Sequence, residues 1–146
     1  MNINMLSEYY SYLNNKSKRL FCKKMKIDYL DINSIFTMLV EVRNLCAHNS
    51  PLYNNIESNL SNNMTKKLMT NHILTTEDDM KGLFSVLICF KFVLKNETFR
   101  EIYKKVKKEL RHLIRKIGLN YKNEIMNALN FPKNFHLILK RNWKEL

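Results

Sequence analysis

The segment from Glu97 to Ile117 constrains the fold most, because its apolar residues recur at helical spacing over about six turns. They are Phe99, Ile102, Tyr103, Val106, Leu110, Leu113, Ile114 and Ile117. Gly118 follows at a position that suits a helix end. The chain also has only 2 Gly and 2 Pro in 146 residues, which excludes a collagenous or turn-dense all-β chain. An all-α fold is therefore predicted.

The first half of the chain shows three further helical patterns. A first helix is predicted over residues 3–14, with Tyr9 and Tyr10 on its inner face, and a second, shorter helix with Leu20 and Phe21 facing inward. Asp31 is predicted to cap a long third helix that ends before Pro51. The apolar stripe of this helix is Ile32, Ile35, Phe36, Leu39, Val42 and Cys46.

The second half begins with a polar stretch over residues 49–75, in which one helical turn is expected near 64–69. Thr76 and Asp79 have the spacing of a capping box, and the helix that they open, to about Lys95, is apolar nearly all round. Two short helices are predicted near 121–129 and between Pro132 and Trp143. The sequence thus predicts one all-α domain over residues 1–146, a bundle of about four to six helices with a long polar loop after the third helix.

Positive charge is concentrated near the C-terminus. The chain has 25 Lys and Arg against 13 Asp and Glu, a net charge of +12, and residues 96–146 alone carry +8. Such a segment favours a polyanionic partner, a nucleic acid or an anionic membrane, although a solvated lysine face has the same composition. The candidate RNA contacts, which we expect to act as a diffuse electrostatic field, are Lys104, Lys105, Lys108, Arg111 and Arg115.

The remaining composition predicts a cytoplasmic protein without a membrane segment. The three cysteines form no close pair, which is typical of reduced thiols inside a cell. No signal peptide is visible, and the longest apolar run, residues 83–94, is too short to span a bilayer. His72, His112 and His136 show no ligand spacing with the cysteines, so neither a metal nor a cofactor is expected.

Residues 41–49 form the one dense cluster of chemically competent side chains on an apolar scaffold. Arg43 offers a charged fork suited to phosphate, and Asn44 offers a donor and an acceptor. His48 is of the residue type that exchanges protons near neutral pH. Together these groups have what RNA cleavage without a metal needs, a base for the ribose 2′-hydroxyl and a cation for the phosphorane.

The same residues also have a purely structural interpretation. An Arg followed after four residues by a His is, by itself, weak evidence for a catalytic site. In that interpretation Arg43 forms a salt bridge with Glu41 or another acid, and His48 closes the helix near the negative end of its dipole.

The stretch 43–54, RNLCAHNSPLYN, resembles the signature of the Abi-like family of bacterial abortive-infection proteins, Arg-Asn-x-Cys-Ala-His-His followed after a short gap by Leu-Trp-Asn. The apolar segment 83–94 is similar to the family's later core helix. Residues 130–135, with Trp143 beyond, are similar to its closing Gly-Phe-Pro-x-x-Trp segment. Asn49, Tyr53 and Phe135 depart from the family's His, Trp and Trp, and the chain resembles only the second half of such proteins.

The resemblance implies the all-α HEPN superfamily, whose members often act as metal-independent ribonucleases in phage defence and toxin–antitoxin systems. By this resemblance Arg43 binds the phosphate and stabilises the transition state, Asn44 is the polar residue of the motif, and His48 is the general base or acid. The implied products are a 2′,3′-cyclic phosphate and a 5′-hydroxyl. Asn49 and Tyr53 are further candidate RNA contacts.

Helix geometry adds an expectation about assembly. Arg43 and His48 lie about 140° apart around an ideal helix, so one regular helix does not aim both at one atom. Either the helix unwinds before Pro51 or two copies build the site across a twofold axis, as the resemblance implies. We expect a homodimer that binds RNA and does not bind membranes, and whose antitoxin, if it has one, is an RNA or a protein.

The alternatives to a ribonuclease are a non-catalytic RNA-binding or antitoxin-like module and a fragment that completes a larger HEPN assembly.

Overall fold

The computed structural model describes residues 3–52, 55–70 and 82–140, and these form an all-α bundle, as predicted. None of the helices in these ranges is both long and apolar enough to cross a membrane. In the described ranges five helices have ten residues or more, and three are shorter. The helices are α1 (Ile3–Tyr12), α2 (Asn15–Met25), α3 (Tyr29–Ala47), α4 (Asn62–Thr70), α5 (Gly82–Val93), α6 (Asn96–Ile117), α7 (Lys122–Ala128) and α8 (Phe135–Lys140), with a 3-10 turn at Leu119–Tyr121 before α7.

Helices α3 and α5 form the centre of the bundle. Helix α3 contacts α1, α2, α4 and α5, and α5 also contacts α6 and α8. Every residue of α5 from Phe84 to Cys89 is buried, which agrees with its apolar pattern and with its predicted place as the most buried helix. The predicted Thr76–Asp79 capping box lies outside the described residues, as does Trp143.

Helices α1 and α2 pack on the N-terminal part of α3 through aromatic rings. Tyr10 lies with its ring centroid 5.5 Å from that of Phe36 and 5.4 Å from that of Phe21. Two predictions for these helices were wrong, because Tyr9 is 61% exposed and Leu20 is 68% exposed. Each of these helices packs on α3 through one narrow stripe, on which Tyr10 and Cys22 lie. Tyr9 and Leu20 lie off these stripes and point to solvent.

Helix α6 packs its first turns on α5 and extends past it. Phe99, Tyr103 and Leu110 are buried, whereas Leu113 and Ile117 are exposed. The reason is length: α6 has 22 residues and α5 has 12, so the last turns of α6 reach beyond the helix that covers its apolar face. Gly118 ends α6 at φ 124°, a backbone angle that glycine adopts without strain.

Asp28, not Asp31, caps α3. The Asp28 side chain accepts the Leu30 amide at 3.0 Å, and this bond, with a hydrogen bond from Lys67, holds the pKa of the Asp28 carboxyl below its ordinary value. Asp31 lies one turn further along and is only 2% exposed. The prediction was wrong because both aspartates have capping spacing, and only tertiary contacts distinguish them.

The buried Asp31 carboxylate fastens the chain before α4 to the first turns of α3. It accepts hydrogen bonds from the Ser61 hydroxyl and from the Asn63 amide, the latter at 3.1 Å to each oxygen, and Lys67 lies 3.6 Å away. The Ser61 hydroxyl also accepts the Met64 amide at 3.1 Å and so caps α4. Helix α4, predicted near residues 64–69, therefore depends on a residue of α3.

We expect Asp31→Ala to lower the free energy of unfolding by about 3 kcal/mol, because it leaves the partly buried Ser61 and Asn63 side chains without their acceptor. Asp28→Ala is the matched control, since Asp28 is exposed and its capping bond is worth about 1 kcal/mol. Urea unfolding of both variants measures the difference. Equal losses would contradict the anchoring role of Asp31.

Candidate active site

The last turn of α3 projects from the core and carries the predicted catalytic residues. Burial along α3 stops at Val42, and beyond it Arg43 and His48 are exposed while Asn44 is half-buried. Cys46 is also exposed, which corrects its predicted place on the apolar stripe, because the stripe leaves the packed part of the bundle before it reaches Cys46. The reactive groups of the cluster are thus accessible to a large substrate.

A hydrogen-bonded turn ends α3 and fixes the backbone of His48. The Asn49 amide donates to the Cys46 carbonyl at 3.2 Å, and the Ser50 amide donates to the Leu45 carbonyl at 2.8 Å. These are the two bonds of a Schellman motif, with Asn49 in its left-handed position at φ 52°. The helix therefore ends at Ala47, ahead of Pro51, and His48 is its cap residue.

Asn44 links the two residues that the catalytic hypothesis pairs. The Arg43 Nη1 atom donates to the Asn44 Oδ1 atom at 2.9 Å, and the His48 amide donates to the Asn44 carbonyl at 3.0 Å. Within the described ranges no hydrogen bond joins the side chains of Arg43 and His48, and no carboxylate pairs with Arg43. The guanidinium is held near Asn44 and keeps its charge available.

Glu41 is engaged by the loop after α3 and forms no salt bridge with Arg43 in the part of the chain described. Its carboxylate accepts the Glu57 amide at 2.8 Å and the Ser58 amide at 3.0 Å. Partial burial opposes its ionisation, but hydrogen bonds from Ser58 and Glu57 outweigh it and hold the pKa of the Glu41 carboxyl below its usual value. The salt bridge between Arg43 and Glu41 that the structural interpretation offers is thus not formed.

An open groove of about 550 Å³ lies between α1 and the C-terminal half of α3. Asn44 and His48 line this groove. Arg43 does not line it, but its side chain is hydrogen-bonded to that of Asn44. The other lining residues are Ser7, Thr37, Val40, Glu41, Leu45 and Ser50. The sequence did not indicate the contributions of Ser7 and Thr37, because nothing local predicts that α1 crosses this part of α3.

The groove brings together only part of the predicted RNA-binding set. Lys104, Lys105, Lys108, Arg111 and Arg115 are exposed on α6, which packs on α5, and none of them lines the groove. Asn49 forms the turn described above, and Tyr53 lies outside the described residues. In the ranges that the structure describes, no group of three His, Cys, Asp or Glu side chains is placed to hold a metal ion.

The model of the family described as Abi-like protein matches residues 1–54, which span α1 to α3 and the whole motif. The resemblance to Abi-like proteins is thereby confirmed over this part of the chain. No curated protein and no solved structure matches.

We expect Asn49→Gly to leave stability unchanged or raise it, because glycine adopts a left-handed conformation without steric cost. Asn49→Val places a β-branched side chain at φ 52° and is expected to lower the free energy of unfolding by about 1–2 kcal/mol. Urea denaturation measures both effects. Equal stability of the two variants would contradict the role of Asn49 in this turn.

Proposed function

We propose that this protein is a metal-independent endoribonuclease of a phage-defence (abortive infection) or toxin–antitoxin system. The observation that supports this most is the placement of Arg43, Asn44 and His48 on an exposed, hydrogen-bonded helix end beside an open groove. The similarity of residues 1–54 to Abi-like proteins suggests the abortive-infection role.

The proposed reaction is an intramolecular transesterification of RNA. The His48 imidazole takes the proton of a ribose 2′-hydroxyl, and the 2′-oxygen attacks the adjacent phosphorus. The Arg43 guanidinium binds the phosphorane oxygens, on which negative charge builds up. The bond from phosphorus to the 5′-oxygen then breaks, and an imidazolium gives that oxygen a proton. The products are a 2′,3′-cyclic phosphate and a 5′-hydroxyl.

The charge of the protein supports RNA as the substrate. A net charge of +12 attracts a polyanion, and eight of the 22 residues of α6 are Lys or Arg. Because α6 is not part of the groove, these cations act in the proposal by raising the local concentration of RNA and not by touching the reacting phosphate.

We further propose that the working enzyme is a homodimer with paired motifs at its interface. His48 lines the groove and Arg43 does not, so a phosphate in the groove of one copy meets the imidazole without a direct guanidinium contact. A second copy, related by a twofold axis, supplies Arg43 from the other side. The imidazolium formed at His48 then protonates the 5′-oxygen, so each site needs one Arg43 and one His48.

One observation favours an alternative function. The cationic face of α6 is separate from the α3 groove. RNA bound on this face would therefore not bring a phosphate to Arg43 and His48. A non-catalytic RNA-binding or antitoxin-like module would bind RNA with strong salt dependence and produce no strand scission. A fragment that completes a larger HEPN assembly would be a monomer that gains structure only with a partner chain.

We expect His48→Ala to reduce cleavage of a labelled single-stranded RNA at least a hundredfold, because the proton of the 2′-hydroxyl loses its acceptor. His112→Ala is the matched control, since His112 is exposed on α6 and does not line the groove. The assay contains a chelator and identifies cyclic-phosphate ends. Undiminished cleavage by a clean His48→Ala preparation would reject the assignment, and RNA binding without cleavage by the wild type would favour the alternative.

A further inference from the structure

A second cavity, of about 450 Å³, lies between α7 and α8 and shares no lining residue with the α3 groove. Its volume falls within the range of about 300–1,000 Å³ that small-molecule sites occupy. We refer to it as the α7–α8 pocket. Because α8 packs on α5 and the groove lies between α1 and α3, the two sites belong to different parts of the bundle.

The wall of the α7–α8 pocket is fixed before any ligand binds. Phe131 is buried, and its ring centroid lies 5.9 Å from that of Phe84 in α5 and 4.9 Å from that of Phe135. The Phe131 amide donates to the Met126 carbonyl at 2.9 Å, so the turn after α7 is closed in the same way as the end of α3. A wall anchored to the core loses little conformational freedom on binding.

Contact with α5 fixes the same turn a second time. Asn130 has a φ of 55°, and its side chain lies against Gly82, where an added Cβ atom would come within 3.3 Å of it. The first residue of α5 thus leaves space that the turn occupies. The pocket wall is positioned by α5, the most buried of the described helices.

The polar lining of the pocket is cationic and amidic. Lys122 and Lys133 bring two ammonium groups, and Asn123 and Asn127 bring two amides, each with a donor and an acceptor. In the described part of the chain these four side chains form no hydrogen bond or ion pair with protein groups, and no residue that lines the pocket is acidic. Such a lining matches an anion that also carries hydrogen-bonding groups.

The aromatic lining offers two nearly perpendicular rings, so a flat base stacks on one of them and meets the other with its edge. Phe135 and His136 both line the pocket and are partly exposed, with their ring centroids 5.7 Å apart and their planes at 85°. Proteins bind unpaired bases by stacking them on Phe, Tyr, Trp or His and by hydrogen bonds to the base edges. Phosphate groups pair with lysine, and asparagine side chains match base edges.

We propose that the α7–α8 pocket binds one nucleoside monophosphate unit, with the base against Phe135 and His136, its edge at Asn123 and Asn127, and the phosphate at Lys122 and Lys133. The unit comes either from a free mononucleotide or from an unpaired position of an RNA strand. This site does not take part in cleavage, and its existence does not depend on the proposed activity of Arg43 and His48.

The test is a binding titration of the full chain in the His48→Ala background, which prevents any cleavage from altering the probe. The probes are the four 5′-mononucleotides, inorganic phosphate, and a five-nucleotide RNA with 2′-O-methyl groups. Amide NMR spectra of labelled protein report binding through the side-chain amides of Asn123 and Asn127. Binding of a mononucleotide identifies the free form as a ligand, and binding of the oligonucleotide alone identifies a nucleotide within a strand.

Matched variants separate the pocket from the general charge of the protein. Lys122→Gln/Lys133→Gln is expected to weaken binding about tenfold, and Lys23→Gln/Lys24→Gln, which removes the same charge from the exposed last turn of α2, less than twofold. Phosphate alone is expected to bind at least tenfold more weakly than the nucleotide probe. Equal losses in the two double variants, phosphate binding as tight as the nucleotide, or no change at Asn123 and Asn127 with any probe would overturn the proposal.

Discussion

Two carboxylates on α3 hold the returning chain along that helix, and the candidate site depends on this attachment. Asp31 binds Ser61 and Asn63, and Glu41 binds the amides of residues 57 and 58. The two acids are ten positions apart, about 15 Å along a helix. The chain after the motif is therefore fastened at both ends of this span, which leaves the last turn of α3 and its groove open to solvent.

The helices with complete apolar faces could be predicted from sequence, because their periodicity is local. This holds for α5 and α6, and α4 was expected close to its observed position. Cys46 was misplaced because the apolar pattern of α3 continues past the point where a neighbouring helix covers it, and Leu20 because α2 packs on α3 through a stripe too narrow to include it. A periodic pattern gives the direction of a side chain, whereas burial depends on how far the partner helix extends.

In the candidate site, too, the sequence predicted which residues lie together on one helix, but not their tertiary contacts. The sequence placed Arg43, Asn44 and His48 on one helix end, and the structure adds the bond from Arg43 to Asn44 and the groove beside His48. Glu41 was considered as a partner for Arg43, yet it binds a loop sixteen or more residues later, which no local pattern predicts. The turn that ends α3 was also not predicted from the sequence, because Asn49 occupies the left-handed position that is usually filled by glycine.

Subunit complementation tests the central claim, that Arg43 and His48 from two copies act on one phosphate, most directly. Arg43→Ala and His48→Ala, each inactive alone, are unfolded together, refolded as a mixture and assayed for RNA cleavage. Random pairing makes half of the dimers mixed, and each mixed dimer has one intact site of its two. About a quarter of the wild-type activity should therefore return. A mixture as inactive as its components, with mixed dimers demonstrated, would contradict a site shared between copies.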